Sequence, residues 1–291
     1  MRTTTDARWL VLGASGLVGA HLRVALAGRD AVVTSHRTPV PDGVALDVTD
    51  PAAVARVLRE SRPDVVVVTV TEHTERCERD PKATRLVNVD GLRRVAEGAP
   101  TALLVVFSSE YVFDGRAGPY SEEDAVAPIN EYGRQKVAVE SVARERADHL
   151  ICRTSGIYGW SSARENFVCK LVDSLRARRR FRVPMDQVIT PTPAPDLAHA
   201  IVALVDRSAR GTFHVAGPEI LPRPEFARRV AAAFGLDASL IDAVPTAELG
   251  LLASRPPSAG LRTDKLRSFL GHGLSPSAEA LAAMRGSEPS P

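Results

Sequence analysis

Apolar runs alternate with amphipathic stretches through the first half of the chain. Residues 8–12 form a short apolar run that ends in a glycine turn, and 17–27 continue as a helix. Residues 31–35 read as a second strand and 44–46 as a short third. Asp50-Pro51 opens a helix to about residue 60, with Asp at the cap and Pro in the first turn. Residues 64–70 (DVVVVTV) are a continuous β-branched run, the pattern of a strand buried on both faces. Asp80-Pro81 opens another helix toward residue 98, and 101–107 repeat the buried-strand signal. A helix at 130–146 and a strand at 149–153 follow. This alternation implies an α/β fold, a doubly wound parallel sheet with helices on both faces. Such sheets bind ligands at the carboxyl ends of their strands, so the chemistry is expected just after each apolar run.

The second half is less regular. It predicts an Arg-rich helix at 167–180, a Pro-rich passage at 189–195 and a helix at 196–206, then a strand at 212–215 and a helix at 223–234. We expect a nucleotide-binding domain over 1–155, to which segments near 185–215 return. A smaller C-terminal substrate lobe, interleaved with it, is expected over 156–291. Low complexity is confined to the tail 286–291.

The first turn reads Gly13-Ala-Ser-Gly16-Leu-Val-Gly19 between strand and helix. Glycines at this spacing allow a tight turn, close approach of backbone to a pyrophosphate, and close helix–strand contact. The fold is therefore expected to be Rossmann-like. An NAD site wants a carboxylate at the end of the second strand, but the chain offers Ser35, His36 and Arg37. A hydroxyl and a cation suit a 2′-phosphate, which favours NADPH over NADH. Asp47, after the third strand, is the natural carboxylate for the adenine amino group.

Tyr132 and Lys136 stand four residues apart, on one face of a helix. With only four Tyr and four Lys in the chain, chance placement would give about 0.05 such pairs. Upstream, the strand 103–107 runs into Ser108-Ser109-Glu110 at the same end of the sheet as the glycine turn. A free phenol has a pKa of ~10, and a neighbouring Lys cation together with an oxidised nicotinamide is expected to favour its ionised form. Tyr132 would then exchange a proton with a substrate oxygen, and Ser109 would donate to that oxygen.

Composition removes competing classes. A hydrophobic fraction of 44% over 291 residues can fill a substantial core. A formal charge of +2 gives no pull toward nucleic acid or membrane. No stretch approaches the ~18 apolar residues of a membrane span, and no signal peptide is read. Cys77, Cys152 and Cys169 form no CxxC pair and no metal-ligand spacing appears, so no metal is expected and the compartment reads as cytoplasmic. The cations at 176–182 read as a solvated helix end.

Together these residues resemble the extended short-chain dehydrogenase/reductases, most closely the dTDP-4-dehydrorhamnose reductase type. The matching segments are 11–19 (VLGASGLVG), Asn88-Val89, 108–115 (SSEYVFDG), 119–123 (PYSEE), 132–136 (YGRQK) and 153–159 (RTSGIYG). Asp186-Gln187, Pro191-Thr192, 211–215 (GTFHV), Arg255-Pro256 and Lys265-Leu266 continue the pattern. The resemblance implies NADPH-dependent reduction of the 4-keto group of a nucleotide-linked 6-deoxyhexulose, and it admits a homodimer. It implies Tyr132 as proton donor, Lys136 beside it, Ser109 where Thr is usual, and Asn88 as a supporting asparagine. Ser15, Leu17, Val18, Val48 and Thr69 complete the expected cofactor set, and Glu110, Val112, Asn166 and Arg255 are the expected substrate contacts. Three departures from the pattern stand out: Val68-Thr69-Val70-Thr71 where Asn-Ala-Ala is usual, Glu110 where Asp is usual, and Gly156 where a Trp often stands. The signature is shared by the regulatory beta subunit of methionine adenosyltransferase, a non-catalytic NADP-binding alternative. Sugar-nucleotide epimerases and dehydratases use the same Tyr and Lys, but a dehydratase would want an acidic pair where only Glu110 is adjacent.

Overall fold

A computed structural model describes residues 6–289, which leaves the last two residues of the low-complexity tail outside it. The chain runs β1 (Trp9–Leu12), α1 (Leu17–Ala25), β2 (Ala31–Ser35), β3 (Val44–Ala45), α2 (Pro51–Ser61) and β4 (Val65–Val68). It continues through α3 (Thr74–Arg79), α4 (Pro81–Arg85), α5 (Gly91–Gly98), β5 (Leu103–Ser109), α6 (Glu131–Arg144) and β6 (His149–Thr154). Next come β7 (Ile157–Tyr158), α7 (Phe167–Arg176), β8 (Phe181–Pro184), β9 (Val188–Ile189), β10 (Thr192–Pro193), α8 (Ala194–Asp206) and β11 (Gly211–His214). The chain closes with β12 (Leu221–Pro222), α9 (Arg223–Phe234), β13 (Ile241–Val244), α10 (Asp264–Leu270) and α11 (Ser277–Gly286).

Seven strands form one sheet in the order β3-β2-β1-β4-β5-β6-β11, with every pairing parallel. This is the doubly wound, Rossmann-like arrangement. Strand alternation divides each apolar run between two cores. Trp9, Val11, Val65, Val67, Val105 and Phe107 face α1, α8 and α10. Leu10, Leu12, Val66, Val68, Leu104 and Val106 face α2, α5 and α6. Both faces are covered, so the strands carry no polar alternation. A third cluster joins Tyr158 to α7, α9 and α11 through Leu171, Val172, Phe226, Val230 and Leu281.

Three local expectations change. The helix expected over 80–98 is broken by a π-helical turn at Leu86–Asp90, which carries Asn88. The Arg-rich helix stops at Arg176, and Arg178 has a φ of +52°. Arg176 pairs with Glu288 and Arg182 with Glu248, so that cationic run is engaged in ion pairs at the surface. The Pro-rich passage contains β9 and β10, which pair with β12 and β7.

Candidate active site

The glycine turn follows β1. Gly13 has a φ of +90°, and a Cβ there would sit 2.7 Å from the Thr69 hydroxyl. A Cβ on Gly19 would lie 2.2 Å from the Gly13 carbonyl, so only glycine lets α1 pack directly on the turn. Gly16 caps α1 without a side-chain bond, which leaves the first-turn N–H groups open to an anion. A cavity of about 380 Å³ lies against the turn, bordered by Gly13, Ser15, Gly16, Ser35, Arg37, Asp47, Val48 and Thr69. Thr69 donates to the Leu12 carbonyl at 2.7 Å, tying the end of β4 under the turn. Leu17 and Val18 do not border the cavity: Leu17 leans toward Gly159, and Val18 packs on the core beneath α8.

Arg37 is exposed and forms no ion pair among the described residues, although it borders this cavity. Asp47 accepts from the Thr49 N–H at 2.8 Å and its hydroxyl at 2.7 Å. Partial burial pulls the Asp47 carboxyl upward, but these bonds, with the neighbouring His36 and Arg37, hold it below its ordinary range. The cradle thus pairs glycine backbone and a helix N-terminus with one free cation and one fixed carboxylate. It fits a dinucleotide that carries a 2′-phosphate.

At the carboxyl end of β5, alternation separates the two serines. Ser108 points to the α6 side, where its hydroxyl donates to Glu140 at 2.6 Å. Ser109 points into a second cavity of about 250 Å³, which it shares with Glu110, Tyr111, Tyr132, Thr154 and Ser155. Thr71 borders both cavities, so they adjoin. Gly133 explains how α6 reaches this end of the sheet: a Cβ there would be 2.1 Å from the Tyr111 carbonyl. Asn130 caps α6 through the Gly133 N–H at 2.8 Å, which seats Tyr132 in the first turn.

Lys136 lies one turn on, with Nζ donating to the Phe107 carbonyl at 2.9 Å and 5.4 Å from the centre of the Tyr132 ring. Burial pulls the ammonium down to about 8, so it remains largely a cation at neutral pH. Burial, with the Glu110 carboxylate adding to it, pushes the Tyr132 phenol well above the ordinary value. Without cofactor the phenol is therefore protonated, the state that a reduction requires of its proton donor.

Asn88 acts at a distance. Its amide nitrogen donates to Gln135 at 2.8 Å and its oxygen accepts from the Glu72 N–H at 2.7 Å. It clamps the segment after β4 to α6, between Tyr132 and Lys136 in sequence. The Ser109 hydroxyl donates to Glu110 at 3.0 Å and accepts from the Tyr111 N–H at 3.2 Å. Burial pushes the Glu110 carboxyl up to about 6.

Three expected substrate contacts do not border the cavity. Val112 is fully buried in the cluster of Phe113, Tyr120, Ala216 and Leu261, on the other side of its short turn. Asn166 is the cap of α7: it accepts from the Cys169 N–H at 3.2 Å and donates to the Gly159 carbonyl at 2.8 Å. Arg255 does not border the cavity either. It pairs with Glu75 at 2.5 Å and lies 5.6 Å from the centre of the Tyr111 ring. Gly156 borders the cavity with a φ of +51°, so a Trp at this position would strain the backbone. Tyr111, His73, Thr154 and Ser155 also border it and were missed. Thr154 ends β6 and Ser155 directly follows it, where the strand-end rule would have found them.

The model of the RmlD substrate binding domain family matches residues 7–287. The dTDP-4-dehydrorhamnose reductase of Salmonella typhimurium is 32% identical over 283 residues, covering 89% of this chain and 90% of that protein. The methionine adenosyltransferase 2 subunit beta of Pongo abelii is 32% identical over 275 residues, covering 90% of this chain and 82% of that protein. The solved structure of dTDP-4-dehydrorhamnose reductase from Bacillus anthracis in complex with NADP matches with a TM-score of 0.87 at 28% identity, covering 96% of this chain and 98% of that one.

Proposed function

The chain belongs to the RmlD substrate-binding-domain family of extended short-chain dehydrogenase/reductases, and from that premise we propose that it reduces the 4-keto group of a nucleotide-linked 6-deoxyhexulose with NADPH. One observation carries the reading. The glycine cradle with its free Arg37 adjoins the cavity in which Ser109 and Tyr132 meet, with Lys136 fixed behind the phenol.

When bound, the dinucleotide supplies the hydride. The chain's own residues do the rest. The first turn of α1 and Gly13–Gly16 would take the pyrophosphate, and Ser35 with Arg37 the 2′-phosphate. Tyr132 holds the proton that the reduced oxygen needs. Ser109 stands in the same cavity to donate to that oxygen as charge grows on it. Lys136 supplies positive charge beneath the ring and steadies the phenolate left after proton transfer.

The direct test is NADPH absorbance with a panel of nucleotide-linked 4-ketosugars, beginning with dTDP-4-dehydrorhamnose. Consumption that depends on the ketosugar is expected. NADPH binding without turnover on any of them would overturn the reductase reading. It would favour a binding role like that of the adenosyltransferase beta subunit, which the identity to that protein keeps in view.

Cofactor choice gives a second test. Arg37 forms no ion pair among the described residues, so Arg37→Ala is expected to cost about 1–3 kcal/mol of NADPH affinity and to leave NADH affinity nearly unchanged. Titration of both dinucleotides checks this. Equal wild-type affinities for the two would refute the assignment of Arg37.

A further inference from the structure

A cavity of about 460 Å³ lies behind the substrate wall, between α1, β7, the start of α8 and α11. It shares no bordering residue with the two cavities of the active site. The two-residue strand β7 separates the two sides: Ile157 borders the substrate cavity and Tyr158 borders this one. The volume falls within the roughly 300–1,000 Å³ of small-molecule sites.

Its lining is specific in chemistry. Tyr158 is only 1% exposed, and its hydroxyl has no hydrogen-bond partner among the described residues. Buried hydroxyls are almost always satisfied, and an unsatisfied one costs on the order of 1–3 kcal/mol. Trp160, Pro193, Pro195, Ala283 and Met284 supply an apolar wall. Trp160 is held in place by its indole N–H, which donates to the Met284 carbonyl at 2.7 Å. The charged groups on the lining are acidic. Asp196 is half-buried and accepts from the Ser275 N–H at 2.8 Å, and Glu279 is exposed without an ion pair among the described residues. Among the described residues no Lys or Arg borders the cavity. His21 borders it as well, and burial lowers its pKa, so it adds no positive charge at neutral pH.

We infer that this cavity is a binding site for a small organic cation, an aryl-alkylammonium whose ring rests on the Trp160, Met284 and proline wall. Its ammonium is set between the Tyr158 hydroxyl and the carboxylates of Asp196 and Glu279. Aromatic faces and thioether sulfur favour a flat apolar body, and the uncompensated carboxylates select its charge. The inference is independent of the proposed reaction, because it uses no residue of the catalytic or cofactor cavities.

Tryptamine is the probe. We expect saturable binding of tryptamine to the full chain by calorimetry, with a Kd at or below about 1 mM, unaffected by saturating NADPH. Indole-3-propionate, of similar size but opposite charge, is expected not to bind. Tyr158→Phe is expected to weaken tryptamine at least tenfold and to leave the melting temperature of the ligand-free protein unchanged or raised, since it removes an unsatisfied group. Glu279→Gln, at an exposed position, is expected to weaken it several-fold without touching the fold. Three results would overturn the inference: no saturable tryptamine binding, equal binding of the carboxylate, or full affinity retained in both variants.

Discussion

Tyr132→Phe is expected to lower kcat by about 10²–10⁴ while cofactor affinity survives. The substitution keeps the ring, and with it the edge contact to Tyr111 at 5.9 Å, but removes the Tyr132 phenolic proton from the cavity it shares with Ser109. Lys136 keeps its bond to the Phe107 carbonyl, so the cofactor side of the site is undisturbed. Lys136→Met separates the two roles. It removes the cation beneath the ring, so the phenol pKa rises further and the alkaline limb of the pH–rate profile moves upward. It is also expected to weaken NADPH binding, which Tyr132→Phe does not. Steady-state kinetics on a nucleotide-linked 4-ketosugar, with NADPH affinity measured separately, checks both. Turnover by the wild type with full kcat retained in Tyr132→Phe would remove Tyr132 from the chemistry.

Why these groups were legible in the sequence, and others not, follows from how far apart their partners lie. Tyr132 and Lys136 are one helical turn apart, and Gly13, Gly16 and Gly19 fall within one turn-and-helix unit, so spacing alone exposes them. The buried strands were legible for a related reason: β4 and β5 send alternate residues into two cores, which demands unbroken apolar runs. Helix α3 carries no such signal. Its sequence TERCER buries only Cys77, so polarity concealed it. The contact of Glu75 with Arg255 joins residues 180 positions apart, and nothing local foretells it. The placement of Asn166 was legible but misread, because an Asn directly before an apolar helical run is the mark of a cap. What spacing could not foretell is how burial and the Glu110 carboxylate raise the Tyr132 phenol when no cofactor is bound, because burial is a tertiary fact.

The largest effect on stability is expected at Arg153. Its guanidinium donates to Glu140 through Nε at 2.8 Å and Nη2 at 2.9 Å, and both side chains are almost wholly buried. Glu140 also accepts from the Ser108 hydroxyl at 2.6 Å and from Arg144 at 2.8 Å. Arg153→Leu removes the buried partner of this carboxylate, leaving only Ser108 and the part-exposed Arg144 to offset its burial, and is expected to cost about 3 kcal/mol at neutral pH. The pH dependence follows from the sign of the shift. Burial alone would raise the Glu140 pKa, but Arg153, Ser108 and Arg144 hold it below its ordinary value. In the wild type its contribution is therefore fully present above the unfolded value of ~4.3 and is lost as pH falls through the lower folded value. In Arg153→Leu the burial is less opposed, the folded carboxyl takes up a proton more readily, and the stranded charge disappears on acidification. The stability gap between wild type and variant is thus expected to be widest at neutral pH and to narrow as the pH approaches about 4. Urea unfolding of both proteins at a series of pH values checks this. A gap that stays constant with pH would mean that the loss comes from packing, including the stack of Arg153 on Phe113 at 5.1 Å, and not from the unpaired charge.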